Sequence, residues 1–158
     1  MSLLVAVEII LSRFLSISAW NIKIGLSFVP IVVAAICFGP LEAGIVAALS
    51  DLLGALLFPI GPYFPGFTLT AFLTGCVFGL FLKKNPNWLR CIAAVAINQF
   101  LLSLFLNTLW ISMLYGSPFV PLLETRLIQC VLLFAVQLIG VRIILSVFER
   151  YGKKVSSK

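Results

Sequence analysis

Apolar runs, each close to the length of a bilayer crossing and each closed by a short polar or proline–glycine break, fill this chain from end to end. A helix needs about 20 residues to cross the hydrocarbon core of a membrane. The runs lie at roughly 2–17, 23–38, 41–58, 66–82, 89–115 and 120–149. The breaks between them are Ser18-Ala19-Trp20-Asn21, Gly39-Pro40, Pro59-Ile60-Gly61-Pro62, Lys83-Lys84-Asn85-Pro86-Asn87 and Tyr115-Gly116-Ser117-Pro118. Composition closes off a soluble alternative. Of 158 residues, 62% are hydrophobic and 10% charged, against about 45–50% and about 25% in soluble domains. A soluble fold of this size has too little interior to hide so much apolar side chain. The expected architecture is therefore an all-α integral membrane protein, one domain over 1–158 with six transmembrane helices. An ordinary cytosolic enzyme, a disordered chain and a nucleic-acid-binding domain are excluded. The last two runs exceed one crossing and predict tilt or extension beyond the bilayer. Glu8 and Arg13 interrupt the first run and no basic segment precedes it, which argues against a cleaved signal peptide.

Basic residues in short loops set orientation. Six spans place both termini on the side of Lys83, Lys84, Arg90, Arg142, Arg150, Lys153, Lys154 and Lys158. Both termini are thus expected in the cytoplasm, with the bilayer and its headgroups as the partner of these charges. Arg13, Lys23 and Arg126 fall on the other, outer side. A cation within a span costs about 2.5–3.5 kcal/mol on insertion scales and usually faces a partner or a wet cavity. These three either snorkel to outer headgroups, pair with an acid such as Glu124, or converge on an anionic ligand.

The outer segments fit a cavity. The first carries Ser18 and Trp20. The second, Pro59 to Phe67, is shaped by Pro59, Pro62 and Pro65 and presents Tyr63, Phe64 and Phe67, as a belt anchor or as a lid that stacks on a flat ring. In the fifth run Asn107 and Trp110 are three residues apart and share a helical face. Their amide and indole suit either helix–helix hydrogen bonds or a heterocycle. Asp51 sits mid-span in the third run and is expected to pair with a cation or a ligand donor. Small residues at four-residue spacing, Ser2/Ala6, Gly44/Ala48 with Ala43 and Ala47, and Gly75/Gly79, allow close helix contacts inside the protein or, on outward faces, with another membrane protein.

Several chemistries are missing. The chain has no histidine, so imidazole metal sites and histidine-based triads are excluded. Cys37, Cys76, Cys91 and Cys130 lie singly in apolar stretches and read as buried hydrophobes, so no metal is expected. There is no GxxxxGK[ST] loop for ATP and no GxSxG elbow.

Ordered blocks along the chain resemble the folate-specific S components of energy-coupling factor (ECF) vitamin transporters. They are Leu11-Ser12-Arg13-Phe14-Leu15-Ser16-Ile17, Ile36-Cys37-Phe38-Gly39-Pro40, Gly61-Pro62-Tyr63-Phe64-Pro65-Gly66-Phe67-Thr68, Asn107-Thr108-Leu109-Trp110, Leu114-Tyr115-Gly116-Ser117-Pro118-Phe119 and Thr125-Arg126-Leu127-Ile128. The resemblance covers roughly residues 3–145. It implies the six-helix S-component fold in a prokaryotic plasma membrane, with folate captured outside and delivered inside by reorientation on a coupling module. It further implies a transmembrane coupling subunit and two cytoplasmic ATPase subunits as partners, so that ATP acts only through them and the chain itself needs no cofactor. Carried onto this sequence, it marks Arg13, the 61–67 loop, Asn107, Trp110 and Arg126 as pocket residues. Lys23 and Asp51 join them on chemical grounds, as a carboxylate partner and a reader of the pterin edge. The segments with Ser18 and Trp20 and with Pro62 and Pro65 become gates. Ser2, Ala6, Ala43, Gly44, Ala47 and Ala48 become contacts to the coupling subunit. The family's Ala-x-x-x-Ala motif on the first helix is here Ser2-x-x-x-Ala6.

Competing readings are an S component for pantothenate or thiamine, a membrane enzyme on lipid or isoprenoid, and a channel or structural subunit. The acids Glu8, Glu42, Asp51, Glu124 and Glu149 are too dispersed for the enzyme, and no repeated filter supports a pore.

Overall fold

The structure, a computed structural model, describes residues 1–14, 17–19, 22–24, 26–59, 61–84 and 87–156, with side chains described outside 17–24 and 151–156. Six helical rods run α1 Ser2–Arg13, α2 Phe28–Cys37, α3 Pro40–Leu57, α4 Pro65–Leu82, α5 Trp88–Tyr115 and α6 Phe119–Ser156. Between α1 and α2 lies a ribbon of β1 Ile17–Ala19 and β2 Ile22–Ile24, antiparallel, with Ile17 opposite Ile24 and Ala19 opposite Ile22.

The fold is all-α as expected, and among the described residues this short ribbon is its one non-helical element. It also shortens the first two helices, expected over 2–17 and 23–38. Paired backbone satisfies its own N–H and C=O groups, so the β-branched Ile17, Ile22 and Ile24 leave the helices. Four rods, α3 to α6, are long and apolar enough to cross a membrane. With 12 and 10 residues, α1 and α2 are shorter than a full crossing. At 1.5 Å per residue, α2 spans only about 15 Å of a core about 30 Å thick. At 38 residues α6 is the longest rod, and it runs past the expected end at 149 to Ser156.

Proline and glycine set the boundaries. Pro40 and Pro65 open α3 and α4 in their first turns, where a missing N–H leaves nothing unpaired. Gly39, at φ 127°, makes the turn into α3. There Lys83, from the end of α4, donates from Nζ to the Phe38 carbonyl oxygen at 2.7 Å. Gly116 closes α5 in the left-handed conformation, φ 61°.

The tightest seam joins α3 to α4. Gly75 lies against the Ala43 backbone and Gly79 against Pro40, so close that a Cβ on either glycine would overlap the opposing chain. Gly44 faces Phe72 and Cys76 in the same way. Ala43 and Ala47 are fully buried. This corrects the assignment of Ala43, Gly44 and Ala47 as partner contacts: their surface is spent inside the chain. Ala48 is half-buried, while Ser2 and Ala6 are exposed. The core continues through Val32, Ala34, Ala35, Phe78, Val95 and Val141, all fully buried. Cys37 is exposed rather than buried, and all four thiols are free.

The middle of α5, Ile97–Leu106, is π-helical. Such wide turns are rare and collect at functional positions. This one buries Asn98 and Gln99 within the bundle.

The seam predicts an asymmetry among glycines. Gly75→Leu overpacks α3 and should lose about 1–3 kcal/mol or more, read as a lower midpoint of thermal unfolding in detergent. Gly116→Asn, with nothing within 4 Å of its Cβ and a residue tolerant of this conformation, should leave the midpoint nearly unchanged.

Candidate functional site

Alternation of direction brings one set of helix ends together: the C-terminal ends of α1, α3 and α5 and the N-terminal ends of α2, α4 and α6. The described polar residues expected from the sequence on the outer side fall within about two turns of this end. The side chains of Ser18 and Lys23, and Trp20 as a whole, lie outside the described residues.

Trp110 is the fixed point. Its Nε1–H donates to Thr70 Oγ1 at 3.0 Å, and the Thr70 hydroxyl donates to the Gly66 carbonyl at 3.0 Å. This relay ties α5 to the first turns of α4. The Trp110 ring meets Phe64 at 5.5 Å between centroids, tilted 45°, and Phe64 meets Phe67 edge-on at 6.2 Å. Gly66 is the gap that admits them: a Cβ there would stand 2.6 Å from both Phe64 and Trp110. The three aromatics form one cluster, as ring faces at a common cleft would require.

Asp51 ties α3 to the first turn of α4. Its Oδ2 accepts from Thr68 Oγ1 at 2.9 Å, and Thr68 pairs with the Tyr63 hydroxyl at 3.1 Å. The partner that Asp51 has among the described residues is thus a hydroxyl of α4. Tyr63, Pro62 and Pro65 are exposed above it.

Arg13 lies along Gly54, where a Cβ would stand 2.9 Å from its Nε. Gly54 and Asp51 are three residues apart and share one face of α3. Arg126 is 6% exposed, although it sits on the helix with the most exposed apolar surface. The Nε of each arginine is buried with no hydrogen-bond partner among the described residues, as are Asn107 Oδ1 and Thr108 Oγ1. Arg126 and Asn107 each lie about 10–12 Å inward from this end of their helices. An unsatisfied buried polar group costs about 1–3 kcal/mol, and more when charged.

Asn98, Gln99 and Thr108 stand out in the sequence as polar residues of the apolar fifth run but without a role, and Thr70 does not stand out at all. All four are buried, and the Asn98 amide has both its nitrogen and its oxygen unpartnered among the described residues. Their signal was available, as polar residues inside apolar runs, but only packing tells inward from lipid-facing. Among the described residues no group of three metal-ligating side chains forms.

Thr70→Val removes the acceptor of the Trp110 indole. We expect a loss of about 1–3 kcal/mol, seen as a lower unfolding midpoint in detergent, with Thr70→Ser close to the parent.

Comparisons with known proteins converge on one family. The family model described as the substrate-specific component of ECF transporters matches residues 1–149. A folate transporter FolT of Clostridium novyi is 41% identical over 140 residues, covering 88% of this chain and 81% of that protein. One from Leuconostoc mesenteroides is 28% identical over 144 residues, covering 87% and 77%. A crystal structure of FolT bound with folic acid superposes with a TM-score of 0.85 at 38% identity, covering 90% of this chain and 88% of that one.

Proposed function

This chain belongs to the substrate-specific components of ECF transporters, and from that premise we propose that it captures folate at the aromatic, cationic end of the bundle and delivers it across the membrane. One observation carries the proposal. The end that gathers Phe64, Phe67 and Trp110 also holds two arginines, Arg126 buried and Arg13 half-buried, whose buried Nε atoms lack partners among the described residues. Folate has that chemistry in one molecule: a flat pterin, an aromatic middle and a dianionic glutamate tail. Ring faces stack on ring faces. An arginine grips a carboxylate with two parallel hydrogen bonds. The Asn107 and Thr108 side chains offer donors and acceptors to a pterin edge. The names of the relatives and the folic acid of the neighbouring structure point the same way.

The remaining expectations belong to the same proposal. The site faces outward, and both termini lie in the cytoplasm, because Lys83, Lys84, Arg90, Arg142 and Arg150 cluster at the opposite end. The membrane is the plasma membrane. The chain works on a transmembrane coupling subunit with two cytoplasmic ATPase subunits and carries no cofactor of its own. With Ala43, Gly44 and Ala47 turned inward, the docking face is the exposed apolar stripe of α3, Leu41, Ile45, Leu49 and Leu53, beside Ser2 and Ala6 of α1.

Titration of folic acid into the detergent-solubilised protein tests the cargo. Tryptophan fluorescence should quench saturably at one ligand per chain, and pantothenate or thiamine should not compete. A folded sample that does not bind would remove folate while leaving the family assignment in place. Arg13→Ala and Arg126→Ala should each weaken binding at least about tenfold, since hydrogen bonds to charged groups contribute about 1.5–3 kcal/mol.

A further inference from the structure

A second recess lies at the other end of the molecule. Trp88, at the start of α5, and Leu138, Ile139, Arg142, Ile143 and Ser146 of α6 line a groove of about 240 Å³. It opens sideways: Trp88 is 49% exposed, Ile139 62% and Ile143 58%. The Arg142 guanidinium sits over the Trp88 ring, 5.5 Å from its centroid.

We propose that this groove binds one anionic glycerophospholipid, with an acyl chain along Leu138 and Ile139 and the phosphate on Arg142. Depth supports it. Arg142 stands about 35 Å along α6 from Phe119 at 1.5 Å per residue, just past a hydrocarbon core about 30 Å thick. Leu138 and Ile139 thus lie at the inner edge of the acyl layer, and Arg142 and Ile143 at headgroup level. Size supports it too: the volume is below the roughly 300–1,000 Å³ of small-molecule sites and suits a chain rather than a ring system. The side opening admits an occupant from the bilayer. Charge then selects the headgroup. The contact with Trp88 holds the guanidinium at the groove while its N–H donors, all in the guanidinium plane, remain suited to a two-point phosphate contact. Lys83, Lys84 and Arg90 at the same end add to the attraction for an anion. Glu149 is two turns further along α6, on the aqueous side of Arg142.

Native mass spectrometry of the full chain in detergent, with equal dioleoyl-phosphatidylglycerol and dioleoyl-phosphatidylcholine, tests the site. The expected result is one phosphatidylglycerol per chain surviving activation that strips phosphatidylcholine. Arg142→Gln should cut that adduct about tenfold, Arg142→Lys, which keeps the charge but loses the planar two-point contact, should retain only part of it, and Arg150→Gln should leave it intact. Ile139→Trp, which fills the groove without touching charge, should also remove it, and decides the matter if Arg142→Gln does not fold. Equal retention of both lipids, or equal loss in Arg142→Gln and Arg150→Gln, would overturn the site in favour of diffuse attraction. Loss of the adduct on assembly with the coupling subunit and ATPases would assign the groove to a protein partner instead.

Discussion

The close approach of α3 and α4 is the constraint on which the rest of this structure depends. In lipid, helices gain nothing by hiding apolar side chains from one another, because the surrounding tails are equally apolar. Association has to come from contact, and contact is greatest where side chains are smallest. Gly75 against Ala43, Gly79 against Pro40 and Gly44 against Phe72 provide it. The seam fixes where α4 begins, and the beginning of α4 carries Phe64, Gly66, Thr68 and Thr70. From there the Trp110 indole and the Asp51 carboxylate are reached by hydrogen bonds. A shift of α4 along α3 would break both.

The two ends of the molecule use arginine differently. At one end Arg126 is drawn into the bundle and nearly inaccessible, while Arg13 is half-buried along Gly54. A charge in that position is stabilised by a guest or by nearby polar groups, and the uncommitted groups of Asn107 and Thr108 stand at similar depth. At the other end Arg142 is exposed beside Trp88, where aromatic and cationic side chains meet headgroups. The first arrangement suits selective capture of a soluble anion. The second suits a ligand that arrives through the bilayer. The π-helical stretch of α5 lies between them and carries buried amides through the centre of the bundle.

Much of this was legible in the chain. Apolar runs and their breaks located the long helices α3 to α6 to within a residue or so, except at the C-terminal end of α6, because proline, glycine and paired lysines act locally. The cations on the outer side stood out because charge inside an apolar run is costly wherever the run ends up. The 17–24 segment was misread, since three-residue strands are too short to show a period. For Ala43, Gly44 and Ala47 the residues leave internal packing and an outward face both open, and the partner contact comes from the family resemblance alone, because small residues on a membrane helix look the same whether they meet a partner or a neighbour.

What the sequence determined by itself is a helical membrane protein with its basic end and its aromatic, cationic end already separated, since both follow from residue type and position along the chain. The ordered motif blocks added the family. What only the tertiary structure decided is which polar groups meet. That the Trp110 indole rests on Thr70, that Asp51 serves Thr68, and that Arg126 is buried while Arg142 lies on Trp88 depend on the rotation and depth of each helix. Those are set by packing between residues far apart in the chain, and no local pattern encodes them.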